Sequence, residues 1–338
     1  MQDITVMGAG IFGLSLGWEA ARRGARVQVI DPAGPGAGAS GGLVGALAPH
    51  APEAWTPAKA LQLQALMLAP DWWAGVEAAG GLSAGFGRTG RVQPLPDARA
   101  VAQARARAEG AAALWQGAGH WQVRPAQAGD PVSPSGLVAE DTLSARLHPR
   151  RALAALVAAI RARGGVVAQD GPAKGPVVWA TGAAGLRDLG AALGRDVGRG
   201  EKGQALALRH AAPEAPQLYA PGLHVVPHAD GTVAVGSTSE RDYDRPDSTD
   251  AQLDALHARA VALWPVLAAA PVVARWAGER PRSASRTLVL GAWPGRPGHY
   301  VANGGFKTGF AMAPLAAQLM ADLVLDGRDA LPAPWRLG

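Results

Sequence analysis

Gly8, Gly10 and Gly13 lie between an apolar run, Ile4-Thr5-Val6-Met7, and a helical segment, Leu14 to Arg23. The next apolar run, Val27-Gln28-Val29-Ile30, closes on Asp31. Strand, Gly-rich turn, helix, strand and acid in this order read as a dinucleotide-binding unit. Gly8 allows the tight turn, Gly10 lets the backbone approach a pyrophosphate, and Gly13 lets the helix pack close to the strand. The helix start, with Ile11 and Phe12, offers unpaired N–H groups and a positive dipole end to the phosphates. Asp31 is placed to accept hydrogen bonds from a ribose diol. The unit's place at the head of the chain favours FAD over NAD.

The elements that must position this chemistry are legible along the chain. Residues 32–49 form a small-residue loop, Pro32 to Gly42 at its centre, that can pass close to a bulky ligand. Residues 57–79 are helical with Leu61, Ala65, Leu68 and Trp72 on one face, and residues 98–116 are helical as well. His148-Pro149-Arg150 opens a helix over 149–163 that stops at Gly164-Gly165. Val177 to Ala180 is a short buried strand running into Thr181-Gly182, a second tight turn at the nucleotide edge. Residues 203–239 alternate as antiparallel strands, with Asp230-Gly231 as a hairpin turn. Residues 249–269 are helical, Val272 to Ala277 and Thr287 to Leu290 are strands, and Tyr300 to Ala302 is a strand before a Gly-rich turn and a helix from Gly309 to Leu325.

This order predicts α/β plus α+β architecture: a Rossmann-like FAD-binding lobe with an interleaved antiparallel-sheet substrate-binding lobe. The expected boundaries are 1–50, 146–200 and 285–338 for the FAD-binding lobe, and 51–145 and 201–284 for the substrate-binding or cap lobe. A chain of 338 residues is long enough for both. The absence of cysteine excludes disulfides, thiolate metal sites, a Cys nucleophile and a cysteinyl-flavin bond. No metal site is expected. The net charge of +5 is carried mainly by scattered arginines without a basic, aromatic-laced stripe, so nucleic acid is not the expected partner. No uncharged apolar run is long enough for a membrane span and no signal peptide is evident, so the expectation is a cytoplasmic protein, with homo-oligomerisation open.

Five segments in this order resemble the D-amino-acid-oxidase-like family of FAD-dependent amine oxidoreductases, which includes glycine and sarcosine oxidases. They are Gly8 to Asp31, Ala39 to His50, Val178 to Gly182, Trp276 to Pro281 and Asn303 to Pro314. The resemblance spans nearly the whole chain and implies non-covalent FAD. It implies that Ser40 and Gly41 hold the pyrophosphate side, that Gly45, Ala46, Leu47 and the residues up to His50 pass beside the isoalloxazine, and that His50 lines the substrate cavity. Val167 would contact the adenine. Ala180, Thr181 and Gly182 border the cofactor, and Gly304, Gly305, Phe306, Lys307, Thr308 and Gly309 face the flavin as the last helix begins. Arg280 matches the arginine that binds the substrate carboxylate in similar enzymes. A planar guanidinium suits that task because it pairs bidentately and stays charged. Lys307 adds a second positive charge, Tyr219 or Tyr243 orients the carboxylate, and Trp276 walls the cavity. Three departures bear on substrate choice: a short stretch between Arg163 and Val177, Ser285 and Leu288 ahead of Gly291 where relatives have Asp and Pro, and the wording Phe306-Lys307-Thr308-Gly309.

The function these residues imply is FAD-dependent oxidation of the C–N bond of a small or N-substituted amino acid, with hydride passing to flavin N5. Either O2 or another electron acceptor reoxidises the flavin. Oxidation of a modified tRNA nucleoside side chain and a flavin-binding subunit of a larger complex are the alternatives. An NAD dehydrogenase would leave the C-terminal Gly-rich segment unexplained.

Overall fold

The computed structural model describes residues 2–337. In chain order its strands are β1 (Asp3–Met7), β2 (Arg26–Ile30), β3 (Ala46–Leu47), β4 (Arg91–Pro94), β5 (Trp121–Pro125), β6 (Leu137–Asp141), β7 (Ala145–Arg146) and β8 (Val166–Ala168). They continue with β9 (Val177–Trp179), β10 (Gly198–Arg209), β11 (Gln217–Ala220), β12 (Leu223–Pro227), β13 (Thr232–Gly236), β14 (Val272–Ser283), β15 (Val289–Ala292) and β16 (His299–Asn303). The helices are α1 (Ile11–Arg22), α2 (Pro57–Gly80), α3 (Ala98–Leu114), α4 (Pro149–Ala162), α5 (Gly182–Leu193), α6 (Ala251–Leu263) and α7 (Gly309–Asp326).

Six strands form one sheet in the order β15-β16-β9-β1-β2-β8, parallel except for the β15–β16 edge. The chain leaves β1 toward β2 and later returns to its other side with β9. That reversal opens a crevice at the carboxyl ends of β1 and β9, where doubly wound sheets take ligands. Eight strands form the second sheet, β14-β10-β13-β12-β11-β4-β6-β5, antiparallel apart from the β11–β4 pair. The mixed architecture agrees with the expected fold class. Helix α5 lies against both β10 and β14.

The main core forms where α1, α2, α4 and α7 pack together, around Leu14, Leu66, Trp73, Leu156 and Met320. The buried face of α2 is centred on Gln62, Ala65, Ala69, Trp73 and Val76, offset from the face expected on periodicity. Helix α7 is long and apolar enough to cross a membrane, but more than half of it is buried inside the protein. It is a core helix interrupted by Pro314 and charged at Asp322 and Asp326.

Several elements went unforeseen. Strand β14 runs six residues beyond its expected end at Ala277, through Gly278 and Pro281. Both residues ordinarily break strands. Here β14 is a sheet edge, where the missing proline N–H removes no ladder bond, and Gly278 leaves room for the Trp276 ring, whose Cζ2 would lie 2.5 Å from a Cβ there. Helix α5 carries Gly182, Gly185 and Gly190, which lower its propensity; burial of Leu186 and Leu189 compensates. Strands β4, β5 and β6 carry charged residues at buried as well as partly exposed positions, Arg91 and Asp141 being a buried pair, so little apolar alternation marks them.

The approach of α1 to β1 has no slack. A Cβ on Gly13 would sit 1.9 Å from the Gly8 carbonyl oxygen. Gly13→Ala is therefore expected to cost about 2 kcal/mol of unfolding free energy, measurable by urea denaturation against the wild type.

Candidate active site

One elongated cavity of about 810 Å³ starts at the carboxyl ends of β1 and β9 and continues to the face of the eight-stranded sheet. That is large for a ligand site, whose usual range is about 300–1,000 Å³. Its nucleotide end is lined by Gly8, Gly10, Ile11, Phe12, Asp31, Ser40, Ala180, Thr181 and Gly182. Gly8 has φ +105°, and a Cβ there would lie 2.4 Å from the Ala180 carbonyl oxygen. Only glycine fits. Ala180 N in turn donates to the Met7 carbonyl at 2.7 Å, locking the two strand ends together.

Asp31 does more than wait for a ligand. Its carboxylate accepts from Ala9 N at 2.8 Å and Ala33 N at 3.0 Å, which fixes the turn, and its remaining lone pairs face the cavity. Ser40 reaches across from the loop, its Oγ accepting from Ile11 N at 3.0 Å. The other first-turn N–H groups of α1 have no carbonyl partner inside the helix. Asn303, unremarked in the sequence beyond its place in the segment, joins both Gly-rich turns: Nδ2 donates to Gly182 O at 2.9 Å and Oδ1 accepts from Gly304 N at 2.8 Å. These features form a cradle of small residues, helix start and acid that fits a dinucleotide.

The far end gathers Tyr219, His224, Ser237, Trp276, Glu279, Arg280, Phe306 and Lys307, with Gly45, Ala46, Gly305 and Gly309 along the wall. Arg280 is buried, 8% exposed. Its Nη1 donates to Ser237 Oγ at 3.0 Å and its Nη2 to Thr238 O at 2.6 Å; Nε–H has no partner. The acids around it are engaged elsewhere. Glu201 pairs with Arg282 and accepts from Ser239, and Glu240 meets Lys202 at 3.4 Å. Among the described residues, Arg280 has no ion-pair partner. Burial pulls its pKa down to about 10, so it remains a cation near neutrality at the cavity wall, with Nε–H buried and unpartnered. Gly203 makes this placement possible, since a Cβ there would lie 1.4 Å from Nη2 of Arg280. No sequence motif marks Gly203; it acts only through its cross-strand pairing.

Phe306, at φ +42°, presents its ring to Arg280 at 5.9 Å, to Arg282 at 5.2 Å and to Lys307 at 5.4 Å. Lys307 stands at the rim. Partial desolvation of its ammonium and then the Arg280 charge pull its pKa below the ordinary lysine value. His224 is the second residue of β12 and its one polar side chain, which is the signal that could have singled it out. Its Nδ1 is buried without a partner, its ring lies 4.9 Å from Tyr219, and burial with the Arg91, Lys307 and Arg280 charges lowers its pKa to about 4. It is a neutral imidazole near three cations. Arg91, paired with Asp141 at 3.0 Å, stacks 5.5 Å from the Tyr219 ring and holds it.

Other expected residues fall outside the cavity lining. Gly13, Gly41, Leu47, Gly304 and Thr308 shape the turns and walls behind it, and Val167 lies on β8 beside β2. His50 is exposed and also outside the lining. Tyr243 instead donates to Glu279. Trp276 does line the cavity, its ring lying next to Gly42.

The model of the FAD dependent oxidoreductase family matches residues 3–323. Glycine oxidase of Pseudomonas putida is 38% identical over 137 residues, 40% of this chain and 37% of that protein. The bifunctional protein ThiO/ThiG of Nostoc sp. is 28% identical over 97% of this chain and 53% of its own length. The matches thus span about half or less of these curated relatives. A solved structure of glycine oxidase from Geobacillus kaustophilus superimposes with a TM-score of 0.86, covering 100% of this chain and 99% of that one at 24% identity.

Two measurements check this geometry. Gly203→Ala should displace the Arg280 guanidinium and weaken carboxylate binding about tenfold or more while leaving cofactor binding intact, read by ligand titration of the loaded protein. His224 and His228 are both pulled from the ordinary 6.5 to about 4. As the pH falls through that window the unfolded chain takes up protons first, so stability decreases. Thermal unfolding should occur at a lower temperature at pH 5 than at pH 7, and His224→Gln should reduce the difference.

Proposed function

The chain belongs to the FAD-dependent oxidoreductase family, and on that premise we propose that it oxidises the C–N bond of a small or N-substituted amino acid, using non-covalent FAD. The observation that carries this reading is Arg280: a buried guanidinium at the cavity wall that has no ion-pair partner among the described residues and an unpartnered Nε–H. A site of that kind is built for an anion brought by the ligand, and a carboxylate matches its planar fork. The relatives named glycine oxidase point to the same substrate class.

In this reading residues 1–50, 146–200 and 285–338 hold the cofactor, and 51–145 and 201–284 shape the substrate end. When bound, FAD supplies the two-electron acceptor for the substrate α-C–H. Arg280 anchors the carboxylate, and the fixed anchor sets the direction in which the α-carbon points. Lys307 and Arg280 together lower the pKa of the substrate ammonium by like-charge repulsion, so that the reactive neutral amine is populated without a protein base. His224, neutral, offers a hydrogen bond to the bound amino acid. Tyr219, Trp276 and Phe306 exclude water and confine the substrate to a small side chain. The imine product hydrolyses after release.

The test is anaerobic bleaching of the flavin band by glycine, sarcosine, D-amino acids and proline. One of them should bleach it rapidly. Arg280→Ala should keep its flavin yet raise the substrate concentration needed about a hundredfold, the range expected for lost charge-assisted bonds. A loaded wild-type protein that none of these compounds bleaches would refute the small-amino-acid reading.

A further inference from the structure

We propose that His228 is a positioning residue that fixes the Leu43–Ala46 cavity wall through the Leu43 carbonyl, and thereby sets the flavin's surroundings. This rests on the FAD of the family and is independent of which substrate is oxidised.

Residues Leu43, Val44, Gly45 and Ala46 all line the cavity. The segment is too short to hold itself. Its only strand, β3, has two residues paired to β7. Each remaining tie comes from elsewhere. Leu147 N donates to Gly45 O at 3.0 Å, and a Cβ on Gly45 would meet the Leu147 carbonyl at 1.8 Å. Val44 fits against Gly236. The side-chain tie is His228, whose Nε2–H donates to Leu43 O at 3.1 Å. His228 sits just past β12 at the hairpin leading to β13, is 1% exposed, and has no partner at Nδ1. Burial keeps the imidazole neutral, so Nε2 carries the single proton and the donor is fixed.

The ring is itself held. His148, the residue that caps α4, lies with its ring centroid 4.7 Å away. His148 Nε2 is 3.5 Å from Asp230 Oδ2, and Asp230 Oδ1 accepts from Thr232 N at 3.1 Å and Thr232 Oγ1 at 2.7 Å. Arg146 on β7 donates to the Pro227 carbonyl at 2.9 Å. The β12–β13 hairpin, the start of α4 and the cavity wall thus meet at one imidazole. A buried carbonyl left without a donor moves to find one, and here that movement would shift the wall against the cofactor.

Two variants differ only in reach. The Gln amide nitrogen mimics Nε2 of histidine, whereas the Asn amide stops near Nδ1. His228→Asn should weaken FAD binding about five- to tenfold and alter the position or fine structure of the bound-flavin absorption band. His228→Gln should restore both to within about twofold of wild type. Equal FAD affinities and identical flavin spectra in the two variants and the wild type would overturn the proposal, as would equal impairment of both at the same melting temperature. Should neither variant fold, His148→Asn serves, because Asn still caps α4 and the position is less buried. It should shift FAD affinity and the flavin band in the same direction by a smaller amount, and an unchanged site there would overturn the proposal. None of these readouts requires turnover, so they fail separately from the amino-acid reading.

Discussion

The arrangement turns on one guanidinium at a cavity wall that, among the described residues, forms no ion pair. Desolvating a charge is expensive unless hydrogen bonds and nearby opposite charge offset it. Arg280 receives partial compensation: a serine hydroxyl, a carbonyl, and two acids whose attention is mostly on other cations. A fully paired arginine would be more comfortable and would bind nothing. The unpaired positive charge is what favours an anion at this end of the cavity.

Placing that charge requires glycine at positions that look unremarkable in the chain. Gly203 clears the space for Nη2, Gly278 clears the space for Trp276, and Gly8 and Gly13 let two backbones touch where the nucleotide end begins. In each case the missing Cβ is replaced by another group of the protein. The cavity is thus defined by contacts around it as much as by the residues facing it. The same logic extends to His228, which is outside the cavity lining and holds the wall through the Leu43 carbonyl.

Much of the fold could be read from the sequence because local periodicity and burial agree there. The Gly8-to-Asp31 unit, helices α2, α3, α4 and α7, and the β12–β13 hairpin all carry their own signals. The strands β4, β5 and β6 do not, since charged residues interrupt their alternation and two of these, Arg91 and Asp141, are buried only as a cross-strand pair. The full length of β14 was hidden by Gly278 and Pro281: the sheet edge tolerates the proline, and the Trp276 ring takes the space a side chain at 278 would need. Of the candidate site residues, Arg280, Lys307 and Trp276 meet at one end of the cavity, while His50 stands outside its lining.

The sequence by itself determined the nucleotide-binding unit, the interleaving of a parallel and an antiparallel sheet, and the cationic residues offered to a ligand, because each is encoded in residue type and short-range spacing. Only the tertiary structure decided that His224 and Tyr219 flank those cations, that Gly203 sits under Arg280, and that His228 grips the cavity wall. These are contacts between segments as much as 185 residues apart in sequence, set by strand register and helix packing, and no local pattern carries them.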